Sequence, residues 1–208
     1  MIQVFENFMP TDLAENLLKS INETPANWWK TSVLVDRSRD DYKLYDNSVG
    51  QYKDHEVDIR RELRANHFCY MFKRSVEHYK TCDCRLCQFD VYLDNVLKQW
   101  IENHTDLKNL TRTHSFASVY EPGHFLATHT DDKRGDVAFV INLTKDWRPE
   151  YGGVFHCEGE YIVPKFNSLM IMTLPNGGRP HFVSEVSQRA PHPRIAVSGW
   201  FKEQSLPK

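Results

Sequence analysis

Apolar positions along this chain change their spacing near its middle. In the first half they recur three to four residues apart. Leu13, Leu17, Leu18 and Ile21 predict a helix running from Thr11, as N-cap, to about Asn22. The longest pattern of this kind runs from Glu56 to about Tyr79 through Ile59, Leu63, Phe68, Met71, Phe72 and Val76, and predicts a helix broken once near Asn66-His67. Phe89 to Ile101 predicts another, with Val91, Leu93, Val96, Leu97, Trp100 and Ile101 as its apolar set. A short strand at Phe5 to Thr11 leads into the first helix. A second strand over Trp28 to Val35 places Trp29, Val33 and Val35 on one face. Asp36 to Lys53 is polar and aperiodic, a long loop of the sort that serves compact enzymes as a lid or substrate-binding segment.

From Ser115 onward the runs shorten and turn residues multiply. Strands are expected near 115–120, 124–130, 136–143, 153–157, 160–164, 168–174, 180–186 and 194–202. Glu121-Pro-Gly, Asp132-Lys-Arg-Gly, Arg148-Pro-Glu-Tyr-Gly-Gly, Cys157-Glu-Gly-Glu and Pro175-Asn-Gly-Gly separate them. Short strands at this spacing predict a double-stranded β-helix, a jelly-roll or cupin-like barrel, in place of a parallel α/β sheet. With supporting N-terminal helices the fold class is α+β. A single domain over 1–208 is expected, with 1–113 mainly helical support and lid loop and 114–202 the jelly-roll core.

Composition narrows the partners. A formal net charge of -2 makes no electrostatic case for a nucleic-acid partner. The opening Met-Ile-Gln-Val-Phe-Glu lacks the basic and apolar regions of a signal peptide, and no run of about 18 apolar residues is present, so a cytoplasmic protein with no membrane partner is expected. Cys82, Cys84 and Cys87 crowd together, which argues against a disulfide framework. They read either as unligated thiols in a turn between helices or as a zinc site completed by Cys69 or His78. The basic face of Arg60, Arg61 and Arg64 reads as solvated surface.

The candidate chemistry centres on Tyr120-Glu-Pro-Gly-His-Phe-Leu-Ala-Thr-His129-Thr-Asp131. On a strand, His129 and Asp131 point to the same face. Pro180-His181-Phe-Val183 supplies a second histidine, and two histidines with one carboxylate, leaving other positions open, suit a non-haem Fe(II) oxygenase. His114, His124, His156 and His192 read as surface or supporting residues; His124 lacks a carboxylate two residues on.

From Tyr120 to Phe201 the chain resembles the Fe(II)/2-oxoglutarate-dependent oxygenases, and within them the branch of collagen, hypoxia-factor and ribosomal-protein prolyl hydroxylases. The matching text is Tyr120-x-x-Gly123, His129-Thr-Asp131, Leu143-Thr-Lys-Asp-Trp147 followed by Gly152-Gly153, His181-Phe-Val183, and Arg194-Ile-Ala-Val-Ser-Gly-Trp-Phe201. The resemblance implies His129, Asp131 and His181 as ligands of Fe(2+), with 2-oxoglutarate and O2 as cosubstrates and ascorbate as an accessory. It implies Arg194 as the cation for the far carboxylate of 2-oxoglutarate, which a planar, permanently charged fork suits. Tyr120 and Ser198 are implied as further cosubstrate contacts and Trp200 as a wall of the substrate pocket. Asn142 stands near where hypoxia-type enzymes carry a second cosubstrate-binding tyrosine, so contacts to that carboxylate are expected to differ.

The implied activity is dioxygenation: oxidative decarboxylation of 2-oxoglutarate to succinate and CO2, coupled to hydroxylation of an unactivated C–H bond. The implied substrate is a prolyl residue in a protein or peptide. The alternatives are the same chemistry on a free amino acid or small molecule, and a barrel that binds metal or a partner without turnover. A cupin isomerase would not need Arg194-Ile-Ala-Val-Ser.

Overall fold

The structure, a computed structural model, describes residues 1–34, 43–46, 55–75, 85–175 and 178–204. All eight strands expected in the second half are present: β5 (Leu110–Tyr120), β6 (Phe125–His129), β7 (Val137–Asn142), β8 (Phe155–Cys157), β9 (Glu160–Ile162), β10 (Ser168–Thr173), β11 (His181–Val183) and β12 (Arg194–Glu203). The first half adds β1 (Ile2–Phe5), β2 (Trp29–Leu34), β3 (Lys43–Asp46) and β4 (Tyr70–Ser75), with helices α1 (Thr11–Glu23), α2 (Glu56–Arg64), α3 (Arg85–Tyr92) and α4 (Lys98–His104). Hydrogen bonding runs β1-β10-β7-β12-β5-β4-β6-β11-β8-β9, with β2 on β4 and β3 on β2, and every pairing is antiparallel. β4 joins the two halves of the curl, pairing Lys73 with Val119 of β5 and Tyr70 with Leu126 of β6. This is the double-stranded β-helix.

Period-two alternation divides the larger half of the sheet into two faces. Val137, Phe139 and Ile141 of β7, Leu169 and Ile171 of β10, and Ile195, Val197 and Phe201 of β12 pack outward on the helices. They meet Ala14, Leu17 and Ile21 of α1 and Phe89, Leu93, Leu97 and Ile101 of the α3–α4 rod. The intervening residues Ala138, Met170, Met172, Ser198 and Trp200 face the inside of the curl. Helical support on one face leaves the other free for chemistry.

The rod is expected from the sequence, but it is longer than its apolar set suggests and contains a π turn at Leu93–Leu97. Four-residue steps at Phe89, Leu93, Leu97 and Ile101 would drift by about 40° per step on an ideal 3.6-residue helix. A wider turn takes up part of that drift and holds the four residues against the sheet.

Three expectations are corrected. The helix expected over Glu56 to Tyr79 stops at Arg64; Asn66 has φ 57°, and the second half is strand β4. Phe68, Met71, Phe72 and Val76 fit a helical spacing, but Tyr70, Phe72 and Arg74 alternate equally well, and neighbours β2, β5 and β6 bond to the backbone. Thr11 does not cap α1. Pro10 takes the N-cap position, its carbonyl accepting from Leu13 and Ala14 at 3.0 and 3.1 Å, and no side chain caps the helix. Within the long loop, Lys43–Asp46 is a strand paired with Lys30–Val33, and the remaining lid residues lie outside the described residues. Among the described residues no helix is long and apolar enough to cross a membrane.

Candidate functional site

Strands β6 and β11 bring the two histidines together, with His181 directly opposite His129 across the pair. Asp131 follows two residues after His129, just beyond the end of β6. One ligand atom from each of these three residues lies within 4.8 Å of the others, and they form the only such group among the described residues. Nε2 of His129 is 3.5 Å from one Asp131 oxygen, and Nε2 of His181 is 3.5 Å from the other. Each imidazole turns its Nδ1 to a backbone carbonyl, His129 to Ala127 at 3.0 Å and His181 to Arg179 at 2.7 Å. Nδ1 of each ring therefore donates, and Nε2 is the atom turned inward.

Burial would raise the Asp131 pKa, but the facing imidazoles outweigh it and hold the carboxyl below its usual range. Burial and the neighbouring His129 push the His181 pKa down. An ionised carboxylate and the Nε2 atoms of two imidazoles thus face one point. Two imidazole nitrogens and a carboxylate oxygen converging on one point form a donor set that fits a metal cation. Phe68 stacks on His129 and Phe155 lies against His181, with centroids 5.2 and 5.3 Å away, which fixes the rings and excludes water. The indole N–H of Trp200 makes no well-formed hydrogen bond, yet it lies close enough to Asp131 to favour the carboxylate.

The triad lines a cavity of about 630 Å³ that also holds Tyr120, Arg194, Ser198 and Trp200, so every sequence-derived site residue outside the cysteine cluster is gathered here. Register explains it: on β12 and β5, Arg194 stands opposite Tyr120, Ser198 opposite Phe116 and Trp200 opposite His114. Arg194 is 4% exposed and has no carboxylate partner among the described residues; its Nη2 lies 3.5 Å from Asn142 Oδ1, and its Nε has no partner. Burial pulls its pKa down, against the nearby Tyr120. Burial pushes the Tyr120 hydroxyl up to about 12, so it stays protonated as a donor. A buried cation without an anion is unfavourable unless something supplies one, and a carboxylate ligand with a second group able to bind a metal would meet both needs of this cavity.

The glycines read from the sequence sit behind that cation. Gly153 has φ 61°, and a Cβ there would lie 3.0 Å from Cδ of Arg194; a Cβ on Gly152 would run into the carbonyl of Glu185. Asn142 is buried beside Arg194 and donates to Ser168 at 3.1 Å.

Of the cysteine cluster only Cys87 is among the described residues. Cys87 is half-buried on α3 and lines a different cavity, of about 530 Å³, behind β5; of the two proposed fourth ligands, Cys69 is buried with its thiol turned to the Ile59 carbonyl at 3.7 Å, while His78, like Cys82 and Cys84, lies outside the described residues. Of the peripheral histidines, His124 is buried and accepts from the Glu121 N–H at 3.0 Å, so it orders the turn between β5 and β6. Sequence reasoning missed Phe68, Tyr70, Phe72, Arg74 and Arg134 as cavity residues. Alternation of Tyr70, Phe72 and Arg74 was the available signal for three of them.

Residues 115–202 match the family model described as the 2OG-Fe(II) oxygenase superfamily. No curated protein matches the chain significantly. Three solved structures align over nearly all of it. A Pseudomonas putida prolyl-4-hydroxylase has 17% identity and a TM-score of 0.56, covering 98% of this chain and 93% of that one. An oxidoreductase of the 2OG-Fe(II) oxygenase family from Burkholderia pseudomallei has 11% identity and a TM-score of 0.63, covering 98% and 86%. The viral collagen prolyl hydroxylase of Paramecium bursaria Chlorella virus-1, in complex with 2OG, has 11% identity and a TM-score of 0.52, covering 98% and 96%. At these identities the alignments establish the shared fold.

Proposed function

We propose, from the premise that residues 115–202 form a 2OG-Fe(II) oxygenase superfamily fold, that the chain uses Fe(II), 2-oxoglutarate and O2 to hydroxylate a prolyl residue in a protein or peptide. One observation carries the reading. Three converging ligand atoms and a buried guanidinium with no carboxylate partner among the described residues occupy a single cavity. Fe(II) with 2-oxoglutarate supplies the oxidation when bound: the keto acid leaves as CO2 and succinate, which takes one oxygen atom of O2, and the substrate C–H bond receives the other as hydroxyl.

The protein's own residues bind, orient and shield. His129, Asp131 and His181 would hold the metal on one side, leaving the opposite side open. Carbonyls of Ala127 and Arg179 fix the tautomer that makes both Nε2 atoms ligands. Arg194 would pair with the far carboxylate of 2-oxoglutarate, with the Tyr120 hydroxyl and Asn142 beside it. The stack of Phe72 on Tyr120, with centroids 5.0 Å apart, holds the phenol in place. Leu126, Met170 and Val183 line the same space and lower the polarity around these contacts, which strengthens each of them.

A prolyl substrate is supported by two of the structural neighbours being prolyl hydroxylases. The flat aromatic walls of Tyr70, Phe116 and Trp200 also suit a pyrrolidine ring. The test is succinate release from 2-oxoglutarate in air with Fe(II) and proline-containing peptides, with mass spectrometry of the peptide. The expected result is succinate with one oxygen added on proline, both lost in His181→Ala. Succinate absent from well-folded protein, or persisting in His181→Ala, would overturn the oxygenase reading; oxygen added elsewhere, or only to free amino acids, would overturn the prolyl substrate.

A further inference from the structure

Arg194 has company in the cavity. Arg74 and Arg134 line it as well, at the far end of the strip formed by β5 and β12. Alternate residues on a strand are about 6.6 Å apart, so the run Arg194, Ala196, Ser198, Trp200 spans roughly 20 Å. Arg194 sits at one end and Trp200 at the other. The Arg134 guanidinium lies over the Trp200 ring at 5.6 Å, and that of Arg74 over Phe116 at 4.6 Å. Arg74 also donates to Nε2 of His114 at 2.9 Å. His114 stacks on Trp200 at 6.3 Å and lies 5.7 Å from Phe116. Two cations thus flank a continuous tray of three rings.

Arg134 is exposed, and no described carboxylate lies within ion-pair distance of it. Its backbone N–H donates to the Asp131 carbonyl at 3.0 Å, which places it one tight turn beyond a triad residue. A guanidinium backed by an indole, with its N–H edge open, is a planar donor fork matched to a carboxylate. Charge reinforces this. Three arginines line the cavity against Asp131 and Asp132, while the chain as a whole has a formal charge of -2. The far carboxylate of 2-oxoglutarate answers Arg194 but lies at the wrong end for this pair.

We propose that Arg134, backed by Trp200 and assisted by Arg74, receives a carboxylate carried by the substrate, so that the enzyme prefers acidic substrates with the anion close to the hydroxylated residue. The inference rests on the hydroxylase reading. One tight turn plus the length of an arginine puts the anion roughly 10 Å from the triad, or about three residues along an extended peptide. An Asp or Glu side chain and a C-terminal carboxylate both offer this chemistry.

The test is calorimetric titration of the full chain, anaerobic and loaded with Fe(II) and 2-oxoglutarate, with matched peptide pairs. In one pair, blocked at both ends, Glu near the proline is exchanged for Gln; in the other, a proline-containing peptide ends in a free carboxylate or in its amide. The acid of at least one pair is expected to bind about tenfold tighter, equivalent to about 1.4 kcal/mol. Which pair responds identifies the source of the anion. The preference should shrink at high salt, vanish in Arg134→Gln and survive in part in Arg134→Lys. Acid and amide binding alike to wild type, neither binding, or a preference that persists in Arg134→Gln would overturn the anion site. The visible band of the Fe(II)–2-oxoglutarate chelate is recorded on the same samples. A band without acid preference overturns this inference and leaves the hydroxylase reading standing, whereas no band overturns both.

Discussion

Replacing Arg194 with Met separates what this residue does for folding from what it does for binding. The guanidinium is buried, its Nε is unsatisfied, it bonds to Asn142 at 3.5 Å, and among the described residues no carboxylate pairs with it. Replacing a poorly compensated buried charge with an apolar side chain of similar length is neutral or stabilising by about 1–4 kcal/mol. Arg194→Met should therefore unfold at the same or a higher urea concentration than wild type. Binding should move the other way. A carboxylate in the fork would lose two charge-assisted hydrogen bonds of about 1.5–3 kcal/mol each. That sum, about 3–6 kcal/mol, corresponds to a loss in 2-oxoglutarate affinity on the order of 10²–10⁴-fold. The assay is urea unfolding with anaerobic Fe(II), with and without 2-oxoglutarate. At a ligand concentration about 100 times its Kd, wild type should gain about 2.7 kcal/mol, and the variant almost nothing. The opposite pattern would refute the reasoning: a variant destabilised like a core truncation, by about 2–5 kcal/mol, that still gains stability from 2-oxoglutarate.

Two further outcomes follow from the same geometry. Gly153→Ala places a Cβ 3.0 Å from Arg194 Cδ at a backbone φ of 61°, so it should cost about 1–3 kcal/mol of stability and weaken 2-oxoglutarate binding, both read in the same unfolding assay. His124 is buried and its pKa is lowered to about 4 by burial, against the opposing pull of Glu121. The unfolded chain takes up this proton as pH falls through about 6.5, while the native state resists until about 4. The stabilisation is therefore complete above the unfolded pKa and is lost on acidification across that window, by up to about 3 kcal/mol. His124→Asn, which keeps an acceptor for the Glu121 N–H, should flatten the dependence of unfolding free energy on pH between 7 and about 4; an unchanged slope would assign it to other groups.

The strands of the second half were legible because each couples period-two alternation to turn residues, and both signals are local. β4 was not. Its apolar residues satisfy helical and strand spacing together, and what decides between them is hydrogen bonding to β2, β5 and β6, partners remote in sequence. The same division runs through the site. His129 and Asp131 are tied by covalent spacing, so their shared face follows from the pleat. His181 could be nominated only by its ligand chemistry and Arg194 only through the family motif, because the cross-strand register that seats His181 opposite His129 and Arg194 opposite Tyr120 has no local signature. Tyr70, Phe72 and Arg74 entered the cavity with the strand that was read as a helix. Arg134 stood three residues after Asp131 within a segment read only as a turn, and its position over Trp200 depends on where β12 ends up.

The central claim is that His129, Asp131 and His181 hold Fe(II) while Arg194 anchors 2-oxoglutarate on it. The most direct measurement is anaerobic titration of Fe(II) and 2-oxoglutarate into wild type and Asp131→Ala, following the weak visible charge-transfer band of the chelate. A saturable band in wild type, absent from a well-folded Asp131→Ala, is the expected result. No band in wild type, or a band of equal strength in the variant, would contradict the assignment of this cavity as the oxygenase site.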